Sequence, residues 1–455
     1  MDWLKGLACF SLVLIFGIFS KGMAGEQDPS VQSMDRQDLA AIEHRLTLSP
    51  RLGDLMAYAR VKNSALKAAW HSWKAFVEAR RLGTAYPDPK LTTTIFPRPM
   101  ETRLGPQDWN VRFSQPIPFP GLLARRGRVL DANVNLARLQ HDQTLKQIFT
   151  RIRTHFYELQ YLGRALDLAE QNLELNRQMA RVLGDAYGRD QSLFYDVSRV
   201  EIRRARLENR IRLLKEEWKS RKIRLNALVN RDADAPLGRI AQGESKGPIP
   251  SLALDLNGII EMGFAQGQEI AMAGERIKRA QARLDLAKYE DKPSFSLGLF
   301  YAGIGEPETQ AQPADAGKDA LGVQFGVSLP LWGGKGSSRR AQALAQQNQA
   351  RALLDARLNQ ARSRITQIWY RMENARRNFN LHKEQILPRS RQALETAEIL
   401  FRQGKGQLPE LLELQTAVHD FQLAAARFQA DYLNGLAELE EWAGALFPRA
   451  PRSEK

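Results

Sequence analysis

The chain repeats its own pattern at a period of roughly 210 residues, and this duplication limits the folds open to it. Phe113 to Gly121 reads F-S-Q-P-I-P-F-P-G, and Phe325 to Gly333 reads F-G-V-S-L-P-L-W-G, so that Pro118 aligns with Pro330. Each copy predicts the same order of elements: a helix, two short strands, a very long helix, a tight turn and a returning helix. The sequence therefore predicts two similar halves in tandem.

Periodicity and composition divide the chain into five segments. They are a signal peptide at 1–24, a first repeat at 25–230, a linker at 231–250 with several Gly and Pro residues, a second repeat at 251–447 and a polar tail at 448–455. Each repeat contains two strands and one long helix hairpin. We place these elements at about 90–97, 109–117 and 121–229 in the first repeat, and at about 293–302, 320–330 and 337–446 in the second.

The first segment has the features of a secretory signal peptide. Lys5 precedes an uncharged run from Leu7 to Phe19, and Gly22-Met23-Ala24 supplies the small residues that precede cleavage. A short membrane anchor is the alternative, but the run falls well short of the roughly 20 residues that a spanning helix needs. The single cysteine, Cys9, precedes most of the apolar run, so we predict no lipidation and no cysteine chemistry in the mature chain.

The predicted strands alternate apolar and polar residues. Leu321 to Leu329 places Leu, Val and Phe on one face and Gly, Gln and Ser on the other. Ser294 to Tyr301 and Trp109 to Ser114 alternate in the same way. In a soluble protein the apolar face would cover a core, whereas in an outer-membrane barrel it would face lipid and the polar face would line the lumen. The polar connection after Gly303 suits an external loop.

Four strands are too few to close a barrel, and lipid does not tolerate open sheet edges. Bacterial barrels need at least about eight strands, so the chain must share its barrel with copies of itself. Three copies give 4 × 3 = 12 strands, but this arithmetic alone also allows two or four copies.

The long helices carry continuous apolar seams. In the first half the seam recurs at steps of three and four residues, and it comprises Leu145, Ile148, Ile152, Phe156, Leu159, Leu162, Leu166, Ala169 and Leu173. A helix of some 65 residues would be roughly 100 Å long, which is typical of coiled-coil architecture rather than of a globular domain. In the second half we expect Pro388 to kink the long helix.

Composition and motifs exclude several function classes. The charged fraction of 26% cannot supply several membrane-spanning helices. The net charge of +15 is compatible with nucleic-acid binding. However, acidic residues are interspersed with the basic ones, and an exported chain does not meet DNA in the cell. We therefore predict no nucleic-acid partner. The six histidines form no helical metal-ligand pairs, and motifs for nucleophilic or phosphate chemistry are lacking. We therefore predict no enzyme activity, no metal site and no cofactor.

Each helix hairpin has a short polar turn that contains glycine. The turn residues are Arg189, Asp190, Gln191 and Ser192 in the first half, and Gln403, Gly404, Lys405 and Gly406 in the second. Glycine ends the first helix of a hairpin, and Ser192 or Pro409 helps to start the next. These positions are either plain hairpin turns or a distal mouth at which a partner docks and a gate forms.

Several motifs, most of them present in duplicate, resemble the TolC family of outer-membrane efflux proteins. They are Y-P-D-P at Tyr86 to Pro89, S-Q-P-I-P-F-P-G at Ser114 to Gly121, V-S-L-P-L-W-G-G at Val327 to Gly334, I-L-P at Ile386 to Pro388, and the two tip turns. The resemblance covers about Leu39 to Phe447 and is closest to the branch that serves heavy-metal efflux pumps.

The resemblance implies a mainly α fold with a membrane β part: two tandem repeats, each with two barrel strands and long coiled-coil helices. It further implies a homotrimer with a 12-stranded barrel and a 12-helix tunnel in the Gram-negative outer membrane. Its partners would be outer-membrane lipid, a periplasmic adaptor and an inner-membrane pump of the RND or ABC type. At the tip, Arg189 and Lys405 accompany Asp190, where some relatives carry acidic residues.

These observations predict the outer-membrane channel subunit of a tripartite efflux system, a passive duct for substrates that include heavy-metal cations. Two alternatives remain at this point. A type I protein-secretion exit channel has the same fold, and a periplasmic coiled-coil adaptor also uses long helix hairpins but lacks lipid-facing strands.

Overall fold

The structure, a computed structural model, describes residues 36–187, 194–240, 249, 252–307 and 314–447. The signal peptide with Cys9, the tail at 448–455 and most of the linker after residue 240 lie outside the described residues. The boundaries proposed for the two repeats therefore stay a prediction.

The described chain is mainly helical with four strands, as predicted. In order, the elements are α1 (Arg36–Leu48), α2 (Leu52–Lys62), α3 (Ser64–Thr84), β1 (Lys90–Thr102), β2 (Gly105–Ile117), α4 (Leu122–Tyr187), α5 (Phe194–Leu228), α6 (Leu256–Gln266), α7 (Gln268–Tyr289), β3 (Ser294–Ile304), β4 (Ala320–Ser328), α8 (Gly333–Leu381), a π-helical turn (His382–Ile386), α9 (Leu387–Arg402) and α10 (Leu408–Ala443).

The four strands form one antiparallel sheet in the order β1-β2-β3-β4. The first hairpin is longer than predicted, because β1 continues through Pro97 and Pro99 to Thr102. A proline lacks the N–H that a ladder needs, so the sequence pattern ends the strand there. In the structure β1 is an edge strand with a register shift between Ile95 and Met100, and this irregularity accommodates both prolines.

α4 is the long axis of the described chain. Its 66 residues give a length of about 100 Å. Next to the sheet it packs against α3 and α7, where Asn135 donates to Glu275 at 3.1 Å. Farther from the sheet it packs against α5 and α10. The predicted seam is confirmed, because Ile152, Leu159 and Leu162 are almost completely buried.

The two halves build similar cores around their long helices. In the first half, Leu46 of α1 and Leu55 of α2 pack with Ile152 of α4 and Leu225 of α5. In the second half, α6 occupies the corresponding position, and its Ile259 packs with residues of α8 and α10. In each core, short helices pack between a long helix and the helix that returns antiparallel to it. The two halves therefore pack in the same way.

The second long helix is interrupted where Pro388 was expected to act. Leu387 donates its N–H to the carbonyl of His382, five residues back, which marks a π-helical turn immediately before Pro388. Proline removes a hydrogen bond and its ring clashes with the carbonyl four residues earlier, so the helix widens to relieve that clash. The predicted interruption of the long helix at Pro388 is thereby confirmed at the junction between α8 and α9, and the kink stays a prediction.

Candidate functional site

The sheet presents one continuous apolar face. Cross-strand pairing aligns apolar residues with apolar residues: Leu91 lies opposite Phe113, Phe113 opposite Leu299, and Leu299 opposite Val323. The neighbouring row joins Val111, Tyr301 and Leu321 in the same way. Because side chains alternate along a strand, this register places all of these groups on one side of the sheet.

These apolar side chains are largely exposed in the single chain. Val323 is 77% exposed and Ile95 73% exposed, and the whole set comprises Leu91, Ile95, Trp109, Phe113, Ile117, Leu297, Leu299, Tyr301, Leu321, Val323, Phe325 and Val327. Soluble monomers rarely expose contiguous apolar patches of more than a few hundred Å². A patch that crosses four strands therefore requires an apolar surface to cover it.

The opposite face of the sheet is mostly polar or small. Its rows read Lys90, Ser114, Gly298 and Gln324 across the sheet, then Thr92, Arg112, Phe300 and Gly322, then Thr94, Asn110, Ala302 and Ala320. Phe300 is the large apolar exception, and the Arg112 guanidinium carbon lies 5.8 Å from the centre of its ring. Small and hydrophilic groups of this kind suit contact with water.

Aromatic side chains lie at both ends of the apolar face. Trp109 and Tyr301 have ring centres 5.6 Å apart near the hairpin turns, and the Tyr301 hydroxyl donates to Asp319. At the end next to the helices, Trp332 and Tyr86 are strongly exposed. Tyr and Trp favour the boundary between hydrocarbon and water, because each combines an apolar ring with a polar atom. Aromatic residues at both ends of a sheet are typical of a membrane-crossing sheet.

The sheet has two open edges. β1 and β4 each pair with one neighbour in the described chain, so each leaves one row of backbone groups unpaired. The strands have 13, 13, 11 and 9 residues, and a transmembrane β-strand needs about 9–11. The strands are therefore long enough to cross a bilayer, but the sheet alone is not closed.

The second tip turn is described and has the geometry expected of a glycine-ended hairpin. Gly404, which follows the C-cap residue Gln403 of α9, adopts φ +72°, a left-handed conformation that favours glycine. The carbonyl of Leu400 accepts from the N–H groups of Lys405 at 2.9 Å and Gly406 at 3.1 Å. Gln403, Gly404 and Lys405 are exposed, and the next helix starts at Leu408 with Pro409 in its first turn. The turn thus offers its polar groups to solvent.

The two hairpin ends pack together. Leu408 and Leu412 of α10 share a small apolar cluster with Leu183 of α4 and Val200 of α5. The first tip turn, with Arg189, Asp190, Gln191 and Ser192, lies outside the described residues, but the helix ends on both sides of it are described. The described ends of α4 and α5 therefore lie beside the second turn, far from the sheet.

A basic groove runs between α5 and α10 next to the tips. Its volume is about 790 Å³, and its lining includes Arg199, Arg203, Arg206 and Arg210 from one face of α5. Arg203 Nη1 donates to the carbonyl of Leu412 at 2.6 Å, whereas its buried Nη2 has no partner among the described residues. Burial lowers the pKa of Arg203, against the opposing influence of Asp420. Sequence periodicity alone did not single out this groove.

Two ion pairs between α4 and α10, one half-buried and one buried, join the two halves. The Glu158 carboxylate of α4 accepts from Arg427 of α10 at 2.6 and 2.9 Å and from Asn434 at 2.8 Å. A second pair joins Arg153 to Glu440. Burial alone would raise the pKa of Glu158, but hydrogen bonding to Arg427 and the charge of that group outweigh it and hold the pKa below its usual value. Sequence reasoning missed these pairs, because nothing in the residue pattern connects positions so far apart.

Among the described helices, none combines the length and apolar character that a bilayer span requires. The described His, Cys, Asp and Glu residues also form no cluster of three or more that would hold a metal ion.

The family comparison matches the second half of the chain. Residues 261–445 fit the family model described as Outer membrane efflux protein. No curated protein sequence matches the chain.

Solved structures resemble nearly the whole chain. The outer membrane protein VceC from Vibrio cholerae is 19% identical over 87% of this chain and 97% of its own, with a TM-score of 0.69. CusC is 14% identical over 88% and 93%, with a TM-score of 0.73. The Campylobacter jejuni CmeC outer membrane channel is 13% identical over 89% and 87%, with a TM-score of 0.72. At these identities the likeness establishes a shared fold, and it confirms the expected TolC-like architecture.

Proposed function

Residues 261–445 belong to the outer membrane efflux protein family, and from that premise we propose that the chain is one subunit of an outer-membrane export channel. It supplies a passive, water-filled duct from the periplasm to the exterior. The chain itself performs no catalysis, and the energy for export comes from a separate pump.

The exposed apolar face of the sheet is the observation that carries this proposal. In water this face would expose a dozen large apolar side chains, and each such side chain gains about 1.5–3 kcal/mol when it is fully buried. A lipid bilayer covers the whole face without any complementary protein surface. The aromatic side chains at both ends then lie at the two membrane boundaries.

Copies of the chain close the barrel. The four strands alternate in direction, so β4 of one copy runs antiparallel to β1 of the next, and this pairing satisfies both open edges. The family resemblance supports three copies, which give 12 strands and a tunnel of 12 helices. The homotrimer is thus the assembly that we propose.

The ends of the helix hairpins that lie far from the sheet contact the periplasmic adaptor. We assign docking of a periplasmic adaptor and closure of the duct to Arg189, Asp190, Gln191 and Ser192, together with Gln403, Gly404, Lys405 and Gly406. Exposure of the second turn and the basic groove beside it supports this assignment. An inner-membrane pump of the RND or ABC type would deliver the substrate. Resemblance to the heavy-metal branch predicts cations as substrates.

Membrane extraction and electrical recording test the proposal. The full chain should be recovered from outer-membrane fractions as a trimer that migrates more slowly before heating than the monomer that heating releases, and it should form stable conductance steps in planar bilayers. Recovery only as a water-soluble monomer without conductance contradicts the proposed function.

Charge reversal tests the tip. Arg189→Glu with Lys405→Glu should change closure of the channel or retention of the adaptor. Lys67→Glu removes the same kind of charge from an exposed position on α3 and should change neither. If conductance, adaptor retention and export all stay as in the parent, the tip residues have no such role.

A further inference from the structure

In its regular ladder, the polar face of the sheet carries positive charge without acidic residues to balance it. Within the regular ladder its side chains come from Lys90, Thr92, Thr94, Asn110, Arg112, Ser114, Pro116, Ser294, Ser296, Gly298, Phe300, Ala302, Ala320, Gly322, Gln324, Gly326 and Ser328. Two of these residues are cations, and none is Asp or Glu. The face therefore has a net charge of +2 per chain.

The two cations lie close together and lack carboxylate partners. Lys90 pairs with Ser114 and Arg112 pairs with Thr92, so they are diagonal neighbours on adjacent strands, about 7–8 Å apart at the backbone. Both side chains are exposed, and neither has an ion pair with any described carboxylate. Phe300 holds the Arg112 guanidinium against the sheet through a cation–π contact. Two like charges at this distance repel each other, and a nearby anion would relieve that repulsion.

Carboxylates do occur on the same strands, but outside this region. Glu101 lies beyond the register shift in β1, and Asp108 lies at the corresponding shift in β2, both towards the hairpin turn. At the same end, the Asp319 carboxylate accepts hydrogen bonds from the Tyr301 hydroxyl and the Ile304 N–H. These three carboxylates thus lie at the loop end of the sheet, whereas Lys90 and Arg112 lie towards the helices.

The size of the closed barrel makes these charges effective. Twelve strands about 4.8 Å apart and tilted by about 40° give a backbone circumference of about 75 Å, hence a diameter of about 24 Å. Side chains reduce the open radius to less than the Debye length of about 8 Å at physiological ionic strength. The electrostatic potential of the six cations in a trimer therefore extends across the whole lumen, where it attracts anions and repels cations.

We propose that this barrel selects for anions and that the exported substrates carry net negative charge, as carboxylate, phosphate or sulfate groups do. The inference rests on the proposed function, because it requires the polar face to line a pore. Lys90 and Arg112 are its specificity-determining residues. It runs against the heavy-metal cation expected from the branch resemblance, since a duct for divalent cations would place carboxylates where these cations lie.

Reversal potentials across a salt gradient test the inference. K⁺ and Cl⁻ have similar mobilities in water, so a potential in a KCl gradient reports the charge of the lumen. The parent trimer should pass Cl⁻ several-fold better than K⁺, and this preference should shrink as the salt concentration rises and screens the wall. The double variant Lys90→Glu/Arg112→Glu should prefer K⁺, and Lys90→Gln/Arg112→Gln should lose most of the preference.

Lys67→Glu is the control, because it removes an exposed cation from α3 and leaves the sheet unchanged. Its reversal potential should stay close to that of the parent. A parent channel that prefers K⁺, or an anion preference that survives the double reversal, overturns the inference and leaves the export channel intact. A parent protein that forms no conductance overturns the proposed function itself.

Discussion

The sheet and the helices place their apolar side chains in opposite ways. In the helices the apolar seam is buried within the chain, and Leu159 and Leu162 are each 1% exposed. In the sheet the apolar row is turned outwards, and Val323 is 77% exposed. One polypeptide thus follows the rules of a water-soluble coiled coil along most of its length and the rules of a lipid-facing barrel in four short strands. The difference locates the membrane at the sheet.

Charge on the apolar face of the sheet should have the largest effect. Leu299 and Val323 are cross-strand neighbours in the middle of β3 and β4. Arg at the bilayer midplane costs about 2–4 kcal/mol, so Leu299→Arg/Val323→Arg should cost about 4–8 kcal/mol per chain. We expect loss of the heat-modifiable trimer from outer-membrane fractions, measured by gel migration with and without heating.

The matched control adds the same two charges to the other face of the same strands. Ser296→Arg/Gln324→Arg directs both groups towards the lumen, so the trimer should be recovered at close to the parent level. Equal loss in both double variants would mean that the two faces of the sheet meet the same environment.

A cavity in the helical seam should have an intermediate effect. Leu159→Ala removes a buried side chain from the interface between α4 and its neighbours, at a cost of about 2–5 kcal/mol. Leu159→Met keeps the volume and should cost less than about 1.5 kcal/mol. The midpoint of thermal unfolding of the helical part, followed by circular dichroism in detergent, compares the two. If Leu159→Ala matches the parent, the seam does not hold the helices together.

The ion pair between the halves should have the smallest effect, and that effect depends on pH. The pKa of Glu158 is lower in the folded chain than in the unfolded one, so the pair stabilises the fold above the unfolded pKa of about 4.3. This stabilisation is lost as the pH falls through the lower, folded-state pKa. Glu158→Gln should lower stability by about 1–2 kcal/mol at neutral pH, and the variant and the parent should converge in acid.

Unfolding midpoints at several pH values measure this convergence. Asp131→Asn is a suitable control, because its partner Arg80 is surface-exposed and exposed pairs contribute about 0–1 kcal/mol. A gap between Glu158→Gln and the parent that stays constant from neutral to acidic pH would show that the Glu158 charge does not stabilise the fold.

Local periodicity was sufficient to predict much of the architecture. Steps of three and four identified the α4 seam, and strict alternation identified β3 and β4 with both of their faces. The extent of β1 was missed, because Pro97 and Pro99 look like strand breakers until the strand is known to be an edge with a bulge. Edge position is a property of the sheet and cannot be read from one strand.

The candidate sites were predicted less completely. The second tip turn was found because glycine and proline mark turns directly, and Gly404 adopts the expected left-handed conformation. The α5–α10 groove and the Glu158–Arg427 pair were missed, because both depend on which helices become neighbours. The uncompensated charge of Lys90 and Arg112 became visible only when the ladder registers placed them on one face with no carboxylate.

The most direct test of the central claim probes two adjacent residues of β4. Cys9, in the predicted signal peptide, is the only cysteine, so a single cysteine at Val323 or Gln324 can carry a spin label in the mature trimer. In lipid vesicles, oxygen, which concentrates in lipid, should broaden the signal at position 323, and a water-soluble nickel chelate should broaden the signal at position 324. Equal access of the nickel chelate to both positions would contradict a sheet with one face in lipid and one in a water-filled lumen.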